Sequence, residues 1–166
     1  MTVKATNAPS LAAPKQARSG KAPRLSTDFL NRYNEALMLI EMATMDDGVL
    51  ADLQTWRSLS YREHFAASSL RVAASALAAY DQVDPARTKA FEDACQSMDR
   101  LIQAVTALLS EQPRPADVPV VVMGASEAVR RLIAGLTQFI NANGEIDIGL
   151  FDDKSVQTEI DRLLED

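Results

Sequence analysis

The chain has 166 residues, of which 47% are hydrophobic and 24% charged, and this is typical of a globular protein with a real core. No apolar run approaches the roughly 20 residues that span a bilayer, and no continuous apolar stretch follows the N-terminal basic residues, so we expect neither a membrane segment nor a secretory signal. The lone cysteine, Cys95, excludes an internal disulfide and favours a cytoplasmic location.

Charge divides the chain into two parts. Residues 1–25 carry five basic and no acidic residues, which leaves 12 basic and 23 acidic residues for the other 141. Residues 1–25 also contain three prolines and few bulky apolar residues, so we predict a disordered basic arm followed by a domain over 26–166. Because the domain is acidic, we expect no nucleic-acid partner.

The first predicted helix begins at Ser26 or Thr27, either of which is a good N-cap, and ends at the turn Asp46-Asp47-Gly48. Its apolar stripe at helical spacing consists of Phe29, Tyr33, Leu37, Ile40 and Met45. Residues 49–83 contain no glycine or proline, but the apolar stripe changes face within them. We therefore predict a break or kink near Ser58–Ser60, with a single helix buried on two sides as the alternative.

Asp84-Pro85 predicts the start of the next helix, which stops before Pro113. Its stripe is the clearest in the chain: Phe91, Cys95, Met98, Ile102, Val105 and Leu109. Residues 117–125 are either helix or an extended lead-in to a helix capped by Ser126. That helix stops at Asn143-Gly144.

A short amphipathic helix over 155–164 is predicted to end the chain. The four longer stripes predict an all-α fold, namely an antiparallel four-helix bundle with this short C-terminal helix.

His64 is the only histidine, and its helical phase places it on a solvated surface, away from Phe65 and Val72. The run His64-Phe-Ala-Ala-Ser-Ser resembles histidine phosphotransfer domains, which are acidic helical bundles with an exposed histidine followed by small residues. The resemblance implies that His64 accepts a phosphoryl group. Ala67 and Ser68 stand where that family usually has lysine and glycine.

Arg57 and His64 enclose six residues, a spacing similar to that of the HEPN ribonucleases, which are also helical bundles. This resemblance implies that Arg57 holds a phosphate and that His64 moves a proton. Ser58 is a partial match to the polar residue that usually follows the arginine.

Residues 141–147 resemble the middle of an EF-hand calcium loop, with Asn141, Asn143 and Asp147 at ligand positions. Phe139 and Leu150 occupy the two ends, where acidic ligands belong. We therefore predict a helix stop with a polar loop, and neither a metal nor another cofactor.

Leu53, Trp56 and Leu59 form an apolar set out of phase with the later stripe. They predict either an exposed surface that binds a partner or two-sided burial under the C-terminal helix. With no catalytic constellation, the sequence favours a non-enzymatic adaptor, chaperone or regulatory protein that binds another protein, and homodimerisation stays open. The alternatives are the phosphotransfer module and, third, the ribonuclease.

Overall fold

The structure is a computed structural model and describes residues 21–148, together with Thr158 and Arg162. Within this part the fold is all-α, as predicted, and contains no strand. A short 3-10 helix, Thr27–Leu30, precedes six α-helices: α1 Asn31–Ala43, α2 Asp47–Thr55, α3 Tyr61–Ala66, α4 Ala73–Asp81, α5 Pro85–Leu109 and α6 Val118–Asn141.

The first helical segment begins as predicted, because the Ser26 hydroxyl accepts a hydrogen bond from the Asp28 N–H at 3.3 Å. It ends earlier than predicted, at Ala43. Asp46 is the N-cap of α2, and its carboxylate accepts the Gly48 N–H at 2.8 Å. The assignment of Met45 to the core stripe is wrong, since this side chain lies in the connection and is 87% exposed.

Residues 49–83 break twice. The predicted break near Ser58–Ser60 is confirmed by the end of α2 at Thr55 and the start of α3 at Tyr61. A capping box fixes this start, because the Ser60 hydroxyl accepts the Glu63 N–H and the Glu63 carboxylate accepts the Ser60 N–H. The second break, over residues 67–72, was not predicted.

Helix α5 agrees with its predicted pattern. Asp84 caps it, Pro85 occupies its first turn, and the helix stops at Leu109, before Pro113. All six stripe residues are buried: Phe91, Cys95, Met98, Ile102, Val105 and Leu109.

Helix α6 begins at Val118, so the helical alternative for residues 117–125 is correct and the prediction of Ser126 as an N-cap is wrong. Val118, Val122 and Ala125 continue the buried stripe toward the N-terminus of the helix. Ser126 therefore lies inside the helix, where it is only 3% exposed.

The predicted stop at Asn143-Gly144 is confirmed. Asn143 adopts a left-handed conformation with φ 54°, and the Gly144 N–H bonds to the Phe139 carbonyl at 2.9 Å. The Asn143 N–H bonds to the Ile140 carbonyl at 2.9 Å. These two bonds satisfy carbonyls at the helix end in a Schellman motif.

Helices α1, α5 and α6 pack against one another, and α2 packs on α1 and α5. The paired helices α3 and α4 adjoin the 3-10 helix through α3. This arrangement is compatible with the predicted bundle. The predicted helix over 155–164 lies outside the described residues, apart from Thr158 and Arg162, which are helical.

One connected aromatic cluster fills the centre of the core. All eight aromatic residues of the described part belong to it through ring contacts: Phe29, Tyr33, Trp56, Tyr61, Phe65, Tyr80, Phe91 and Phe139. The cluster joins the 3-10 helix to five of the six α-helices and to the connection that holds Trp56, so the position of each element depends on the others.

The predicted disordered arm is too long at its C-terminal end. Residues 1–20 lie outside the described part, but Leu25 is buried and its N–H donates to the Asn143 side-chain oxygen at 2.8 Å. The Arg24 N–H donates to the Ser75 hydroxyl at 3.0 Å, and the Ser26 N–H to the Tyr61 hydroxyl at 3.0 Å. Contacts with Ser75, Asn143 and Tyr61 therefore fix residues 24–26 at the start of the domain.

Candidate functional site

His64 lies in the last turn of α3, and its side chain is only 15% exposed. Its Nε2 is 3.0 Å from Asp28 Oδ2, and its ring makes edge contacts with Phe29 and Phe65. The expectation of a solvated histidine is therefore wrong. Helical phase predicted the wrong environment because the Asp28 segment, distant in sequence, packs over this side of α3.

This position does not provide the exposed imidazole that phosphotransfer to a partner requires. The residues that follow His64 also depart from a continuous helical surface, because α3 ends at Ala66. Ala67 begins the second break, so the run of small residues lies mostly in a connection.

Arg57 lies in the connection between α2 and α3, and its guanidinium folds back on the end of α2. It donates to the carbonyls of Gln54 and Trp56, both at 2.8 Å. The Arg57 carbonyl in turn accepts from the Arg32 guanidinium. The contacts of Arg57 and those of His64 share no partner, so the structure shows no constellation in which the two side chains act on one substrate.

The three residues at the ligand positions of the calcium-loop resemblance make other contacts. The Asn143 side chain accepts the Leu25 N–H and donates to the Pro23 carbonyl at 3.3 Å. Asp147 accepts from Arg87 Nε at 2.8 Å, and Asn141 offers its backbone carbonyl to Arg24. Across residues 21–148, no group of three His, Cys, Asp or Glu side chains is placed to hold a metal ion.

Leu53 belongs to the core, with 2% exposure, while Trp56 and Leu59 are half-buried. The Trp56 indole N–H donates to the Arg32 carbonyl at 3.1 Å, and its ring packs against Tyr33. Burial is therefore the alternative that describes Leu53, and this set does not form a continuous exposed apolar surface.

A polar network that the sequence did not reveal lies between α1, α5 and the α2–α3 connection. The Tyr33 hydroxyl donates to Asp99 Oδ1 at 3.0 Å, and the Ser58 side chain acts to lower the pKa of Asp99. Burial raises the pKa of the Asp99 carboxyl, and this effect outweighs the lowering by these two side chains and by the nearby charge of Arg32. Burial likewise raises the pKa of the Cys95 thiol and of the Tyr33 hydroxyl.

These groups form a structural junction and not a reactive centre. The Cys95 thiol is held protonated, which removes the nucleophilic thiolate at neutral pH. The Arg32 guanidinium, beside this network, donates to the Arg57 carbonyl and so links α1 to the α2–α3 connection.

The second feature missed at the level of sequence is an exposed apolar surface on α1, on the connection that follows α1, and on α6. We call it the methionine surface, and it consists of Met38, Met42, Met45, Val120 and Met123, exposed by 52%, 43%, 87%, 65% and 67% respectively. The chain has six methionines, and four of them lie on this surface, while Met98 is in the core. The spacing of Met38, Met42 and Met45 is a signal that could have identified it.

The antiparallel course of α1 and α6 places Met45 and Met123 toward the same end of the molecule. Leu25, just before the first helix, bonds to Asn143 at the end of α6, whereas Glu41 near the end of α1 pairs with Arg130 in the middle of α6. Met45 lies one turn beyond Glu41 on α1's path, and Met123 lies two turns before Arg130 on α6. Both therefore lie on the same side of the ion pair.

No protein-family model, no curated protein and no solved structure matches this chain. Within residues 21–148, every helix lacks either the length or the apolar character that crossing a membrane requires.

Proposed function

We propose that this protein is a non-enzymatic binding module, an adaptor, chaperone or regulatory protein, that contacts another protein through the methionine surface. The observation that carries the proposal is the concentration of exposed methionines on α1 and α6. Contiguous exposed apolar surface usually marks an interaction site, and methionine is common on such surfaces because its flexible, polarisable side chain fits varied partners.

We place the contact here and not at Leu53, Trp56 and Leu59, because Leu53 is 2% exposed and Trp56 packs on Tyr33. A partner could reach Leu53 only after the packing of α2 against α1 and α5 had opened. The methionine surface is available without such a change.

The test compares two variants of the full-length protein as bait in an extract of its own cells. The first replaces Met38, Met42 and Met45 by Gln, and the control replaces Leu70 and Val72 by Gln. Leu70 and Val72 are exposed by 47% and 44% but lie in the connection between α3 and α4. Because all five positions are exposed, we expect both variants to keep their helical circular dichroism.

We expect one partner that binds saturably to the wild type and to the control variant. The methionine variant should fail to retain it. The partner is then purified, and its affinity for the three proteins is measured by calorimetry. Retention of every partner by the methionine variant, at wild-type affinity, would rule out this surface.

A further inference from the structure

The methionine surface has an acidic border along α1 and the start of α2. From Tyr33 to Asp47 the chain contains four acidic residues and no lysine or arginine. These acidic residues are Glu35, Glu41, Asp46 and Asp47.

Three arginines on α6 and on the connection before it are paired with carboxylates. Arg130 pairs with Glu41, and Arg114 Nη2 is 2.6 Å from Asp47 Oδ1. On α6, Arg131 Nε is 3.5 Å from Glu127 Oε1. The carboxylates of Glu35, Glu41, Asp46, Asp47 and Glu127 therefore exceed these three guanidiniums by two, and the chain as a whole carries a net charge of −6.

We propose that the methionine surface binds the apolar face of a basic amphipathic helix supplied by a partner protein. This inference rests on the proposed function and specifies its partner. Apolar side chains of such a helix at i, i+3 or i+4, and i+7 can pack along Met38 and Met42 on α1 and on Met45 just after its end. Lysines or arginines along the edges of the helix meet the acidic border, which complements their charge.

A second copy of this chain is a poorer occupant. Two chains of net charge −6 would bring two acidic borders together, and like charges across an interface oppose association. Light scattering of the purified protein tests this directly. A dimer that the three methionine-to-glutamine changes convert to a monomer would overturn the proposal.

The binding test uses three labelled synthetic peptides with the same leucine face, and with lysine, glutamine or glutamate at the remaining positions. Fluorescence anisotropy measures their affinity for the wild-type protein, the methionine variant and the Leu70/Val72 control variant. We expect the lysine peptide to bind the wild type at least about tenfold more tightly than the glutamate peptide. We expect this ratio to fall as salt is added, since the border is exposed.

The outcomes distinguish the inference that the partner helix is basic from the proposal that the methionine surface is the binding site. Similar affinities of the three peptides for the wild type, all lost in the methionine variant, would overturn the basic-helix inference but leave the proposed surface standing. Equal affinity of the lysine peptide for the wild type and the methionine variant would overturn both. Weaker binding of the lysine peptide to a Glu35→Lys variant, with unchanged binding of the glutamine peptide, would support the acidic border as its contact.

Discussion

His64 Nε2 lies 3.0 Å from Asp28 Oδ2, and this pair joins α3 to the 3-10 helix that precedes α1. The ring is also enclosed by edge contacts with Phe29 and Phe65. The only histidine of the chain is thus a packing residue with a satisfied polar atom. Its contacts indicate a structural role at a junction between two segments 36 residues apart.

The position of His64 predicts low reactivity toward phosphodonors. After incubation with phosphoramidate, we expect no acid-labile phosphate on the folded protein, because Nε2 faces a carboxylate and the side chain is 15% exposed. Intact-mass spectrometry checks this. The same protein unfolded in urea serves as the positive control, since its imidazole is then accessible. Acid-labile phosphate on the folded wild type, and none on a His64→Gln variant, would contradict the structural role and restore the phosphoacceptor.

Local sequence patterns correctly predicted the helix that buries a single continuous face. In α5, the Asp84-Pro85 start and every stripe residue agree with the structure, because one long amphipathic helix buries one continuous stripe. Asn143-Gly144 agrees for a similar reason, since the left-handed conformation needed at a helix end is a local requirement.

The candidate sites could not be predicted in the same way, because the residues that contact their side chains are distant in sequence. Asp28 covers His64, and Tyr33 of α1 bonds to Asp99 of α5. The capping box at Ser60 and Glu63 was present in the sequence and would have located the start of α3.

Replacing Asp99 by Asn should change how stability depends on pH. Burial raises the pKa of Asp99 in the folded state, so the folded state holds this proton more tightly than the unfolded state does. Stability therefore falls as pH rises from the ordinary aspartate range, about 4, through the raised value, and then levels off. The variant lacks this fall, because its amide does not ionise, yet its side-chain oxygen still accepts the Tyr33 hydroxyl.

Urea unfolding of both proteins from about pH 4 to about pH 8 measures this difference. We expect the variant to gain stability relative to the wild type as pH rises across the window. Asp93→Asn is the matched control, because Asp93 is exposed on the same helix and pairs with Lys89 at 2.6 Å. If the unfolding free energies of the wild type and Asp99→Asn differed by the same amount at every pH, the pKa of Asp99 would not be raised in the folded state.

Replacing Asn143 by Gly should loosen residues 23–25, at the N-terminal end of the domain. Glycine keeps the left-handed conformation at φ 54° but loses the bonds to the Leu25 N–H and the Pro23 carbonyl. We expect a loss of about 1–3 kcal/mol of unfolding free energy, since a partly buried N–H is left without its acceptor. Trypsin should also cut faster after Arg24, whose N–H is otherwise held by Ser75.

Asn141→Ala provides the control for Asn143, because Asn141 is exposed and contributes its backbone carbonyl to the contact with Arg24. We expect this variant to stay within about 0.5 kcal/mol of the wild type. Cleavage after Arg24 at the wild-type rate in Asn143→Gly would show that the asparagine does not hold this segment.

Substitution of Gly144 is unfavourable for two separable reasons. Its φ of +75° disfavours an L side chain, and an added Cβ would lie 2.7 Å from Val83 Cγ2. We expect Gly144→Ala to lose about 2–4 kcal/mol of unfolding free energy, of which about 1–2 kcal/mol is conformational strain. Because Val83→Ala removes the methyl group that the new Cβ meets, Gly144→Ala should cost less in that background. Equilibrium urea unfolding of the four proteins gives the coupling between the two sites, which we expect to reach about 1 kcal/mol. Additive losses would show that strain at φ +75° accounts for the whole effect and that Val83 moves aside without cost.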